Sequence, residues 1–71
     1  MGIDAMIIAT MLTYLEGKPE AIELNLLTKV ISKYLNRPVT VEQVVKAVKR
    51  NKHRLKIEKR RDGHYYVSFK I

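Results

Sequence analysis

Lys59, Arg60 and Arg61 stand side by side, directly ahead of Asp62-Gly63. The chemistry open to such a cluster is electrostatic. It can neutralise phosphates, which gives affinity and salt dependence without sequence choice. Arg61 could also enter a narrow minor groove. Charge at a hairpin edge serves a second purpose as well, because it discourages strand pairing between molecules. A second polar set recurs at helical spacing upstream, with Gln43, Lys46, Ala47 and Arg50 opposite the apolar positions, His53 and Arg54 just beyond and Lys49 to the side. In the major groove Gln can pair bidentately with adenine and Arg with guanine. An ordinary solvated helix face would carry similar residues.

Other chemistries find little support. His53 and His64 are the only histidines, and the chain has no cysteine. Neither histidine has the cysteines or spaced carboxylates of a metal site. No nucleophile–base pair, phosphate loop or paired carboxylate arrangement is recognisable. The expectation is a non-enzyme without metal or cofactor.

These residues must be held by a small scaffold. The 71 residues make one domain, 46% apolar, which is enough for a core but leaves little reserve of stability. No apolar run is long enough to span a membrane. The N-terminus lacks the basic start and cleavable apolar core of a signal peptide. A cytoplasmic location is expected.

Residues 3–15 contain no Gly or Pro and predict a first helix, closed by Gly17-Lys18-Pro19. Residues 21–24 could form a short strand or the first turn of the next helix; the strand is favoured because Asn25 is a good N-cap for that helix. That helix, 26–35, places Leu26, Leu27, Val30, Ile31, Tyr34 and Leu35 at core spacing. Asn25, Thr28 and Ser32 near its start could meet phosphate through free backbone N–H groups, or Asn25 could simply cap it. Pro38 makes Asn36–Val39 a turn. Thr40 and Gln43 form a capping-box pattern that opens a third helix over 41–53. Val41, Val44, Val45 and Val48 are its expected core stripe.

Residues 55–71 read as a hairpin. Leu55 and Ile57 alternate with polar residues, as do Tyr65, Val67, Phe69 and Ile71. Directly opposed residues share a face. A two-residue turn would pair Ile57 with Ser68, out of phase. A three-residue loop, Arg61-Asp62-Gly63, pairs Ile57 with Val67 and Leu55 with Phe69, and puts Gly63 in its left-handed position. Tyr65 is then expected in the core, and Tyr14 and Tyr34 as core aromatics with their hydroxyls at the rim.

Helix, short strand, helix, turn, helix, hairpin: in this order the chain resembles a winged helix-turn-helix domain, an α+β fold. The resemblance rests on LLTKVISKYL, NRPV, TVEQVVKAVKRN and LKIEKRRDGHYYVSFKI, and in its compactness it is similar to small stand-alone archaeal or viral members. It implies double-stranded DNA binding by a transcriptional regulator or DNA-associated factor. The third helix would present Gln43, Lys46, Ala47, Lys49 and Arg50 to the major groove. The wing would present Lys59, Arg60, Arg61 and His64 to phosphates.

Charge is divided along the chain. Residues 1–24 hold four acids against Lys18 alone, whereas residues 25–71 hold thirteen Lys/Arg against three acids. Helix 3–15 is apolar nearly all round. Its surplus face predicts a homodimer through Ala5, Ile8, Ala9 and Leu12, with a basic half left for DNA. Two other readings stand beside this one. In the first, the first helix docks a protein partner. In the second, the chain is an RNA- or ribosome-associated factor.

Overall fold

Helix α1 (Ile3–Glu16) lies against both α2 (Leu24–Leu35) and α3 (Val41–Arg50), and strands β1 (Ile22–Glu23), β2 (Leu55–Lys59) and β3 (Tyr65–Phe69) close the other side of the core. This is the arrangement in a computed structural model, which describes residues 2–18 and 20–70. Pro19, assigned above to the end of the first helix, and Ile71, assigned to the inward face of the hairpin, lie outside the described residues. The architecture is α+β, three helices with a three-stranded antiparallel sheet in the order β1-β3-β2. No helix among the described residues is long and apolar enough to cross a membrane.

The core is built from one stripe on each helix and the inner face of the sheet. Ile7, Met11 and Leu15 of α1, Leu27 and Ile31 of α2, and Val44 and Val48 of α3 meet Leu55 and Val67 at its centre. Ile3, Ile8, Leu12 and Tyr14 pack around them, partly buried. Much of the apolar surplus of α1 is therefore consumed within the chain itself, because α2 and α3 both cover this helix.

Helix α2 starts earlier than its sequence pattern suggests. Its N-cap is Glu23, not Asn25: the Glu23 carboxylate accepts from the Asn25 N–H at 2.8 Å and the Leu26 N–H at 3.1 Å. Starting there lets Leu24 turn into the core, where it is buried. Asn36 ends α2 in the left-handed region (φ 53°), a conformation Asn tolerates. Its N–H donates to the Lys33 carbonyl, the Arg37 N–H donates to the Ser32 carbonyl, and the Ser32 hydroxyl donates to the Arg37 carbonyl. The turn into α3 therefore closes without glycine.

Helix α3 departs from expectation in length and in rotation. It ends at Arg50, and Asn51–Arg54 form a tight turn in which the Arg54 and Leu55 N–H groups donate to the Asn51 carbonyl. Its buried residues are Val44, Ala47 and Val48, while Val41 and Val45 are only partly covered. The core axis is rotated by roughly 60° from the valine stripe, taking 100° per residue. Ala47 is 2% exposed and belongs to the core, not to the outward face assigned to it from sequence. The physical reason is size, since only a small side chain lets α3 approach its neighbours closely at that position.

The hairpin has the register that alternation demands. Leu55 pairs with Phe69, Ile57 with Val67 and Lys59 with Tyr65. The Arg60 N–H donates to the His64 carbonyl and Gly63 N–H to the Arg60 carbonyl, leaving Arg61-Asp62-Gly63 as the loop, with Gly63 at φ +85°. Tyr65 is not a core residue. It lies at the last pair of the ladder and is 46% exposed. Tyr34, on the final turn of α2 and off its buried stripe, is 73% exposed.

Candidate nucleic-acid interface

Rotation of α3 decides which side chains it offers. Glu42, Lys46, Lys49 and Arg50 are exposed. Gln43 is half-buried and committed locally: its Oε1 accepts from the Thr40 N–H at 2.8 Å, while its own N–H donates to the Thr40 hydroxyl. The capping box thus occupies the acceptor with which Gln would take part in a bidentate pair to adenine. Arg50 points back to α1 and pairs with Asp4. Of the five residues assigned to α3 from sequence, Lys46 and Lys49 are the two that face solvent without a bonded partner among the described residues.

Val41, Val45 and Lys49 follow one another at four-residue spacing along one side of α3. They form a wall of an open cleft of about 520 Å³ whose other walls are Ile57 and Tyr65 of the hairpin and Leu24 and Asn25 of α2. The cross-strand partner of Tyr65 is Lys59, on the same face of the hairpin. A lysine of α3 therefore lines this concave, largely apolar surface, and a lysine of the hairpin is paired with its Tyr65 wall. Glu42, Val45 and Tyr65 were not singled out as site residues from sequence. The signal that could have revealed Val45 was Ala47, since a small residue at a helix position facing a close neighbour shifts the core axis.

The hairpin tip is braced by its own side chains. The Tyr66 hydroxyl donates to Asp62 Oδ2 at 2.5 Å and the His64 N–H to Asp62 Oδ1 at 2.9 Å. The Arg60 guanidinium lies 4.2 Å from the centre of the Tyr66 ring, a cation–π contact. Asp62 is held below the ordinary carboxylate value chiefly by the Tyr66 hydroxyl and then by the His64 N–H. Tyr66 is correspondingly raised by its bond to Asp62. His64 Nδ1 sits 3.8 Å from Glu23, so it faces the α2 cap. Lys59 and Arg61 are exposed and make no ion pair among the described residues.

The start of α2 is not the phosphate site that sequence allowed. Its free N–H groups are taken by the Glu23 carboxylate, which would repel an anion. Thr28 is buried and donates to the Leu24 carbonyl, and Ser32 donates to the Arg37 carbonyl. On α1, Ala5 and Ala9 are exposed, but Ile8 and Leu12 are half-buried against the chain's own core. Among the described residues the large exposed apolar side chains lie elsewhere, at Leu26, Tyr34, Tyr65 and Phe69. No cluster of three or more metal-ligating side chains occurs among the described residues. The sequence matches no family model, and neither a curated protein nor a solved structure matches it.

Proposed function

We propose that this chain is a winged helix-turn-helix protein that binds double-stranded DNA, acting as a cytoplasmic transcriptional regulator or DNA-associated factor. In this reading α3 enters the major groove and the β2–β3 hairpin is the wing, its tip against phosphates. The element order and the strand order β1-β3-β2 agree with that architecture. The observation that carries the reading is the placement of cations without acidic partners. Lys46 and Lys49 on α3, and Lys59 and Arg61 on the hairpin, line two elements that flank one cleft. Lys and Arg side chains left without acidic partners are suited to neutralising the phosphates of a nucleic acid backbone.

The Ala5–Ala9 face of α1 is where a second copy would dock, with Ile8 and Leu12 at its margin. A dimer would offer two α3 helices to a two-fold site. Sedimentation of the protein, alone and with DNA, tests that arrangement.

The decisive experiment for DNA binding is fluorescence anisotropy with a labelled random-sequence duplex at several salt concentrations. Binding whose logarithm falls steeply with the logarithm of salt supports the reading. No binding at low salt removes it and directs attention to a protein partner. Stronger binding to structured RNA than to duplex DNA would replace it with the RNA reading.

A further inference from the structure

We propose that α3 reads thymine through its methyl group, with Val45 as the principal contact and Val41 beside it. The inference rests on the duplex-binding reading and narrows it. Base edges in the major groove present hydrogen-bond donors and acceptors almost throughout. The one alkyl group exposed there is the C5-methyl of thymine. An apolar side chain pressed against any other edge would strip water from polar atoms without replacing its hydrogen bonds. A helix that brings valines into the groove is therefore matched to thymine.

The placement of Val45 is specific. It lies one turn after Val41 and one turn before Lys49 on the cleft wall, and it is only partly covered by the core. Lys46 and Glu42 flank it on the solvent side. The occupant of this cleft must accommodate both apolar and cationic walls. Lys49 on the cleft wall and Lys59, the cross-strand partner of Tyr65, favour a polyanion, while Val41, Val45, Ile57 and Tyr65 favour alkyl or ring surface. A thymine-bearing DNA strand supplies both. RNA, with uracil in place of thymine, supplies the charge and the ring surface but not the methyl.

The test starts by selecting a preferred duplex from a random pool at low salt. Each thymine in that duplex is then replaced by deoxyuridine, which removes the methyl alone. Binding is measured by anisotropy at fixed salt. Loss of a single buried methyl should weaken binding about fourfold at one or two positions. Val45→Ala should remove the difference between thymine and deoxyuridine there, and Val45→Thr, close in shape, should reduce it. Lys49→Ala should weaken both duplexes equally. The inference is overturned if deoxyuridine is tolerated everywhere, or if Val45→Ala, folded as judged by circular dichroism, keeps the full difference. Binding with indifference to the methyl removes the thymine inference alone. Failure to bind any duplex removes the DNA reading with it.

Discussion

Arg50, in the last turn of α3, reaches Asp4, in the first turn of α1, and ties the two helix ends together. Each charge sits where its own helix dipole favours it, the acid near an N-terminus and the base near a C-terminus. Both side chains remain well exposed, at 64% and 49%. An exposed pair of this kind contributes at most about 1 kcal/mol. Its larger effect is on charge, because it turns a cation of α3 away from any polyanion.

The salt dependence of duplex binding should therefore separate two neighbours in sequence. Lys49→Ala should lower the slope of log affinity against log salt by about one unit, the value for one lost phosphate contact. Arg50→Ala should leave the slope nearly unchanged. Asp4→Asn should release Arg50 and steepen it. An Arg50→Ala slope as shallow as that of Lys49→Ala would show that the Asp4 pair opens on DNA.

Ala47 separates a core role from a reading role. It is 2% exposed between Val44 and Val48. Ala47→Glu should bury a charge without a partner and destabilise the fold by about 3 kcal/mol or more. Lys46→Glu, one residue away and exposed, should change stability by less than about 0.5 kcal/mol while weakening duplex binding. Urea denaturation of the two variants gives the comparison. Near-equal stabilities would place Ala47 back on the surface.

Where sequence could be trusted follows from how local each signal is. The hairpin register was legible because alternation, Gly63 and the pairing of Ile57 with Val67 all depend on residues within one supersecondary unit. The capping box of Thr40 and Gln43 was legible for the same reason. The rotation of α3 was not. Val41, Val44, Val45 and Val48 make a convincing stripe, but α1, α2 and β2 together determine which side of α3 is inside. The cap of α2 was missed because Glu23 does two things at once: it pairs with Tyr66 in the sheet and accepts the first free N–H groups of the helix. The apolar excess of α1 is plain from composition, but how much of it α2 and α3 absorb depends on tertiary packing.

Gly63 is the one glycine whose backbone demands it, at φ +85°. A Cβ there would meet nothing within 4 Å, so a substitution is limited by conformation alone. Gly63→Ala should cost about 1 kcal/mol, the penalty of the left-handed region. Gly63→Asn should cost less, since Asn tolerates that region. Thermal melts of the three proteins should rank in that order. An alanine variant as stable as the parent would mean that the loop adopts another turn without difficulty.

Acid should loosen the junction between the hairpin and α2. Glu23 is held below its ordinary value of 4.5 chiefly by the Asn25 N–H, with the Leu26 N–H and the nearby His64 adding and partial burial opposing. Asp62 is held below 3.8 by the Tyr66 hydroxyl first and the His64 N–H second. Both carboxyls are depressed in the folded state, so the stability linked to them is fully present above their unfolded values. It is lost as pH falls through the lower, folded values. The melting temperature should accordingly fall with a distinct acid limb below about pH 4.5. Glu23→Gln should lower stability near neutrality by about 1 kcal/mol, the usual size of a lost cap, and should make the acid limb shallower. Tyr66→Phe should move the Asp62 titration back toward the ordinary carboxylate range, as read by carboxyl NMR. An unchanged Asp62 titration in that variant would assign the depression to the His64 N–H alone, and an unchanged acid limb in Glu23→Gln would place the acid-sensitive group outside the α2 cap.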